Sequence, residues 1–76
     1  MNQIRSVAAK DNYILEVILE NGSSINLNMK SRLKTLRFGM LADKEFFKRA
    51  ITDGTCIRWD NKIEISISEV FQMAQK

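Results

Sequence analysis

Hydrophobic and polar residues alternate along most of this chain, and the breaks in the alternation divide it into elements. From Tyr13 to Glu20, Tyr13, Leu15, Val17 and Leu19 share one strand face, while Ile14, Glu16, Ile18 and Glu20 share the other. Asn21-Gly22 follows, and a two-residue type I′ hairpin turn with positive φ at Gly22 is expected there. The return run, Ser24 to Met29, sets Ile25, Leu27 and Met29 inward and Asn26 and Asn28 outward. Upstream, Arg5 to Ala9 reads as an edge strand with Val7 inward, closed by a Lys10-Asp11-Asn12 turn. A three-stranded meander near 5–9, 13–20 and 23–29 is the expectation.

A second alternating stretch runs from Thr55 to Ile67 and carries the one Trp of the chain. Ile57 and Trp59 alternate with Cys56 and Arg58; Ile63, Ile65 and Ile67 alternate with Lys62, Glu64 and Ser66. Asp60-Asn61 between them tolerates left-handed backbone angles, so this is a hairpin with Trp59 buried on the Ile57, Ile63 and Ile65 face.

Between the two sheet regions the period changes. Leu33, Leu36 and Met40 recur at three and four residues and predict a short helical stripe, interrupted at Phe38-Gly39. Asp43 is an N-cap for a second helix with Phe46, Phe47, Ala50 and Ile51 on one face, ended by Asp53-Gly54. Ser66 and Glu69 have capping-box spacing and open a brief amphipathic C-terminal helix given by Val70, Phe71 and Ala74, with Ile65 before the cap set to contact Val70. The order β-β-β-α-α-β-β-α has too many adjacent hairpins for a parallel sheet. The predicted class is α+β: one domain over 1–76 with no linker, a small antiparallel or mixed sheet of about five strands packed against short helices.

Composition narrows the function more than it names it. The 76 residues are 45% hydrophobic and 28% charged, an ordinary globular profile. A single Cys excludes an internal disulfide and no run of about 18 apolar residues is present, so a cytoplasmic, non-membrane protein is expected. There is no His to serve as a base beside a nucleophile, and one Cys without His cannot supply a zinc site. Gly22, Gly39 and Gly54 stand far apart and make no phosphate loop. Asp53, Asp60 and Glu64 fall near one hairpin, but each reads as a turn or solvated strand residue. No enzyme activity, cofactor, metal or small-molecule substrate is expected.

The pattern resembles that of a small bacterial domain-of-unknown-function family. It is carried by Tyr13, Leu15, Val17, Gly22, Leu36, Phe38, Leu41, Phe46, Gly54, Trp59, Asp60, Asn61, Ile63 and Ile65, from about Ile4 to Phe71. That family often has Gly after the Trp turn and Pro at the last helix, where this chain has Lys62 and Ser68. The resemblance implies a small mixed sheet with short helices. Some relatives are fused to helix-turn-helix domains, and others stand in toxin–antitoxin-like pairs.

Charge is where a function could reside. The net charge is +3, yet segment 30–49 holds seven basic residues against Asp43 and Glu45, leaving five basic and seven acidic residues elsewhere. Lys30, Arg32, Lys34, Arg37, Lys44, Lys48 and Arg49 are therefore candidate contacts for nucleic acid or an acidic partner. The same charges also suit the solvated faces of two amphipathic helices. Ile14 and Ile18, apolar on an otherwise polar strand face, are a candidate interface for a protein partner or a second copy. The expected function is a non-enzymatic protein-interaction or regulatory module, antitoxin-like; the alternative is a nucleic-acid-binding regulator using the basic 30–49 segment.

Overall fold

The computed structural model describes residues 3–74. Strands β1 (Ile4–Lys10), β2 (Ile14–Leu19) and β3 (Ser24–Asn28) form one antiparallel sheet in that order. Its register puts Val17 between Val7 and Ile25, and Leu15 between Ala9 and Leu27, so the predicted inward set shares one face. Strands β4 (Ile51–Thr52), β5 (Cys56–Trp59) and β6 (Ile63–Ser66) form a second antiparallel sheet, with Trp59 opposite Ile63 and Ile57 opposite Ile65. Helix α1 (Lys44–Phe47) is one turn long, and α2 (Ile67–Ala74) is the main helix.

The class is α+β, but six strands in two sheets replace the expected single sheet of about five. The additional strand begins at Ile51, which the periodicity placed on a helix. Thr52 instead pairs with Ile57, and Ile51, opposite Arg58, is largely exposed. The register of β1 shifts between Ile4 and Ser6, and there the Ile4 N–H donates to the Gly54 carbonyl at 2.8 Å. That bond joins the sheets. Leu15, Val17, Met29, Leu41, Ile57, Trp59, Ile65 and Val70 are fully buried between them.

The Leu33, Leu36 and Met40 stripe is a further correction. Residues 30–32 and 39–42 form only short 3₁₀ turns, Leu36 is fully exposed and Met40 half exposed. At three residues per turn a stripe of 3.6 periodicity does not stay on one side, and Phe38 and Leu41, three apart, are buried instead. The Asn21-Gly22 turn is also longer than expected. Gly22 has φ +91°, but Asn21 is not left-handed; the Gly22 N–H donates to the Leu19 carbonyl and the Leu19 N–H to Ser23. A turn followed by a left-handed Gly is the three-residue hairpin solution, stabilised by the Asn21 Oδ1 accepting from the Ser23 N–H. At the other hairpin Asp60 and Asn61 both have left-handed φ, 53° and 63°.

Both predicted caps are formed. The Asp43 carboxylate accepts from the Glu45 and Phe46 N–H groups. The Ser66 Oγ accepts from the Glu69 N–H at 3.1 Å while Glu69 accepts from the Ser66 N–H at 3.2 Å.

Candidate nucleic-acid interface

The seven basic candidates do not form one surface. Arg37 is committed to the fold: its guanidinium donates to both Glu69 carboxylate oxygens, at 2.6 and 3.0 Å, and to the Glu64 carbonyl at 2.7 Å, and lies 4.8 Å over the Phe38 ring. The pairing holds the Glu69 carboxyl below its ordinary range, Arg37 hydrogen bonding being the main cause. Arg49 is likewise tied to Asp60 at 2.6 Å, across to the Trp59 hairpin turn. Lys48 lies 3.8 Å from Glu45 on the same helical turn.

Lys44 and Lys48 line one cleft of about 310 Å³ with Lys10, Asp11, Asn12 and Tyr13. Asn12 and Tyr13 both take left-handed backbone angles, φ 62° and 61°, in the 3₁₀ turn between β1 and β2. The Tyr13 hydroxyl donates to the Ala42 carbonyl and its ring meets Phe47 edge-on at 5.3 Å, so this aromatic is used in packing.

Lys30, Arg32 and Lys34 line a second cleft of about 700 Å³, between the outer edge of β3 and the end of α2. Among the described residues no carboxylate lies within ion-pair distance of any of the three. The Asn28 Oδ1 accepts from the Lys30 N–H at 3.0 Å, which anchors the 3₁₀ turn that presents Lys30 and Arg32. Asn26, Asn28 and Ser31 complete the polar lining, with Met73 and Ala74 opposite. The sequence reading did not name these three polar residues, although Asn26 and Asn28 were legible as outward positions running into the basic segment.

Ile14 and Ile18 are half-buried on the outer face of β2, outside the main core cluster. Glu16 is half-buried between them and Lys10 lies 3.7 Å from it. The hairpin carboxylates are likewise accounted for. Asp53 accepts from the Thr55 N–H and hydroxyl and the Cys56 N–H, bonds that hold its carboxyl well below the ordinary range. Arg58 sits between Asp53, at 3.0 Å, and Glu64, at 3.6 Å. The buried Cys56 thiol donates to Glu64 at 3.0 Å, which with burial raises its pKa and keeps it a poor nucleophile. Among the described residues there is no cluster of three or more His, Cys, Asp or Glu able to hold a metal, and no helix is long and apolar enough to cross a membrane.

No protein-family model and no curated protein sequence matches the chain. A solved structure does: the crystal structure of a putative DNA-binding protein from Nitrosomonas europaea is similar over 99% of this chain, with a TM-score of 0.81 and 20% sequence identity. The chain spans 50% of that neighbour's length. The likeness is one of fold.

Proposed function

We propose that this domain contacts the phosphate backbone of nucleic acid through Lys30, Arg32 and Lys34, as a regulatory module without enzymatic activity of its own. The observation that carries this reading is that these three cations share one cleft with no carboxylate in ion-pair distance among the described residues, whereas Arg37 and Arg49 are neutralised within the fold. Cations left unpaired beside exposed amides suit phosphate oxygens. The cleft contains no aromatic ring, so bases have no stacking platform and contact with a duplex backbone is favoured over single-strand binding. The description of the Nitrosomonas neighbour as a putative DNA-binding protein supports the same direction.

The test is fluorescence anisotropy with a labelled DNA duplex across a salt series. Three phosphate contacts give a log–log salt slope of about −2.7, and each Lys or Arg to Ala substitution in the cleft reduces it by about 0.9. Binding that ignores salt, or that survives triple substitution of Lys30, Arg32 and Lys34 unchanged, overturns the reading.

A second reading is a protein-interaction module, in the antitoxin-like sense suggested by the family resemblance. Its support is the full exposure of Leu36 together with the exposed Met40, and Ile14 and Ile18 half-covered on the β2 face. Co-purification with a partner that Leu36→Ser or paired Ile14→Lys and Ile18→Lys substitutions release would favour it.

A further inference from the structure

We propose that the outer face of the β1–β3 sheet enters the major groove of the duplex held by Lys30, Arg32 and Lys34, and that Asn26 reads adenine there. The proposal rests on the phosphate-contact reading and adds a source of sequence preference to it. Strand register aligns the outward residues in rows. Ala8, Glu16 and Asn26 form one row, and Lys10, Ile14 and Asn28 form the next, toward the basic turn. Every outward residue of β1 and β3 is exposed, while Leu15, Val17 and Leu27 on the opposite face are buried in the core.

Shape and charge both favour a groove as the occupant of this face. The β2–β3 hairpin is a two-stranded ribbon, the width that a major groove about 12 Å across admits. Beside it, Ser6 and Ala8 on β1 add little bulk. The face is continuous with the basic cleft, because Asn26 and Asn28 line that cleft and β3 leads into the Lys30–Arg32 turn. Glu16, the one carboxylate in these two rows, is met by Lys10 at 3.7 Å, so the pull on phosphate comes from the basic turn alone. Glu20 lies past the far end of the sheet, where the Arg5 guanidinium donates to its carbonyl.

The two carboxamides are not equivalent. The Asn28 Oδ1 is taken by the Lys30 N–H at 3.0 Å, which leaves that side chain only donors. The Asn26 side chain is exposed and makes no hydrogen bond among the described residues, so its oxygen and its NH2 are both free. A free carboxamide pairs bidentately with adenine, accepting from N6 and donating to N7. Ile14 and Ile18, half-buried on the same face, offer the apolar contact that a thymine methyl group takes.

The test is fluorescence anisotropy with three DNA duplexes of equal length: alternating A·T, alternating G·C, and the A·T duplex with 7-deazaadenine, which has C–H in place of N7. The parent is expected to bind the A·T duplex about fivefold or more tightly than the G·C duplex, and 7-deazaadenine to remove most of that preference. Asn26→Ala is expected to abolish the preference and leave the salt slope in place, whereas Lys30→Ala lowers the slope on all three duplexes. If Asn26→Ala does not fold, the 7-deazaadenine comparison on the parent decides. Equal binding of the three duplexes, or a preference that survives Asn26→Ala, overturns this proposal while salt-dependent binding leaves the phosphate reading standing. Sedimentation of the free protein tests the other occupant: a dimer that paired Ile14→Lys and Ile18→Lys substitutions split would put a second copy on this face and overturn the proposal.

Discussion

The indole N–H of Trp59 donates to the Phe47 carbonyl at 3.0 Å, and the two rings stack with centroids 6.4 Å apart. This contact ties the second sheet to the one-turn helix α1, which is too short to persist without tertiary support.

Trp59→Ala is accordingly expected to cost about 3–5 kcal/mol, most of the stability of a domain this small. Trp59→Phe keeps much of the apolar volume but leaves the Phe47 carbonyl without its donor, for a loss of about 1–3 kcal/mol. Urea unfolding followed by circular dichroism measures both. A Trp59→Ala protein as stable as the parent would refute the anchoring role.

Gly22 has φ +91°, and nothing stands within 4 Å of where a β-carbon would sit. The cost of a side chain there is one of backbone conformation alone. Gly22→Val is expected to destabilise by about 1–3 kcal/mol and Gly22→Asn by less, since Asn tolerates the left-handed region. Equal midpoints for Val and Asn in urea would contradict this.

The response to pH follows from Glu69 and Asp53, whose carboxyls are both depressed in the fold. A depressed carboxyl contributes stability that is complete above its unfolded value, near 4.5 for Glu69, and is lost as the pH falls through the folded value. With no His in the chain, the melting temperature is expected to be nearly flat from about pH 6 to 8 and to drop below about pH 4. Glu69→Gln retains a capping-box residue but removes the charge facing Arg37, so its acid limb is expected to be shallower. A parallel acid limb in the variant would show that this pair is not the source.

The two classes of basic residue separate by experiment. Arg49→Ala breaks the Asp60 pair and Arg37→Ala breaks the bidentate Glu69 pair, so both should lower the melting temperature. Both pairs are solvent-screened, and the more exposed Arg49 pair should have the smaller effect. Neither should change the salt slope of duplex binding. Lys30→Ala and Lys34→Ala should do the reverse, moving the slope and leaving the melting temperature in place.

The two hairpins, the capping box at Ser66 and the burial of Trp59 were legible in the chain because they rest on near-neighbour chemistry. Alternation decides a strand face, Asn, Asp and Gly decide where it turns, and a hydroxyl three residues before Glu decides a helix start. Other features depended on groups distant in sequence. Arg37 and Lys34 look alike in a basic run, yet Arg37 meets Glu69, 32 residues away, and Lys34 meets no carboxylate among the described residues. Ile51 carried a helical spacing, but the left-handed Gly54 bonded to Ile4 folds its segment back as a strand. Leu36 fell on a plausible stripe and lies fully in solvent, because the turns around it are 3₁₀ and bury Phe38 and Leu41 instead. Local pattern specifies which face a residue is on; which charges stay unpaired is set by the path of the whole chain.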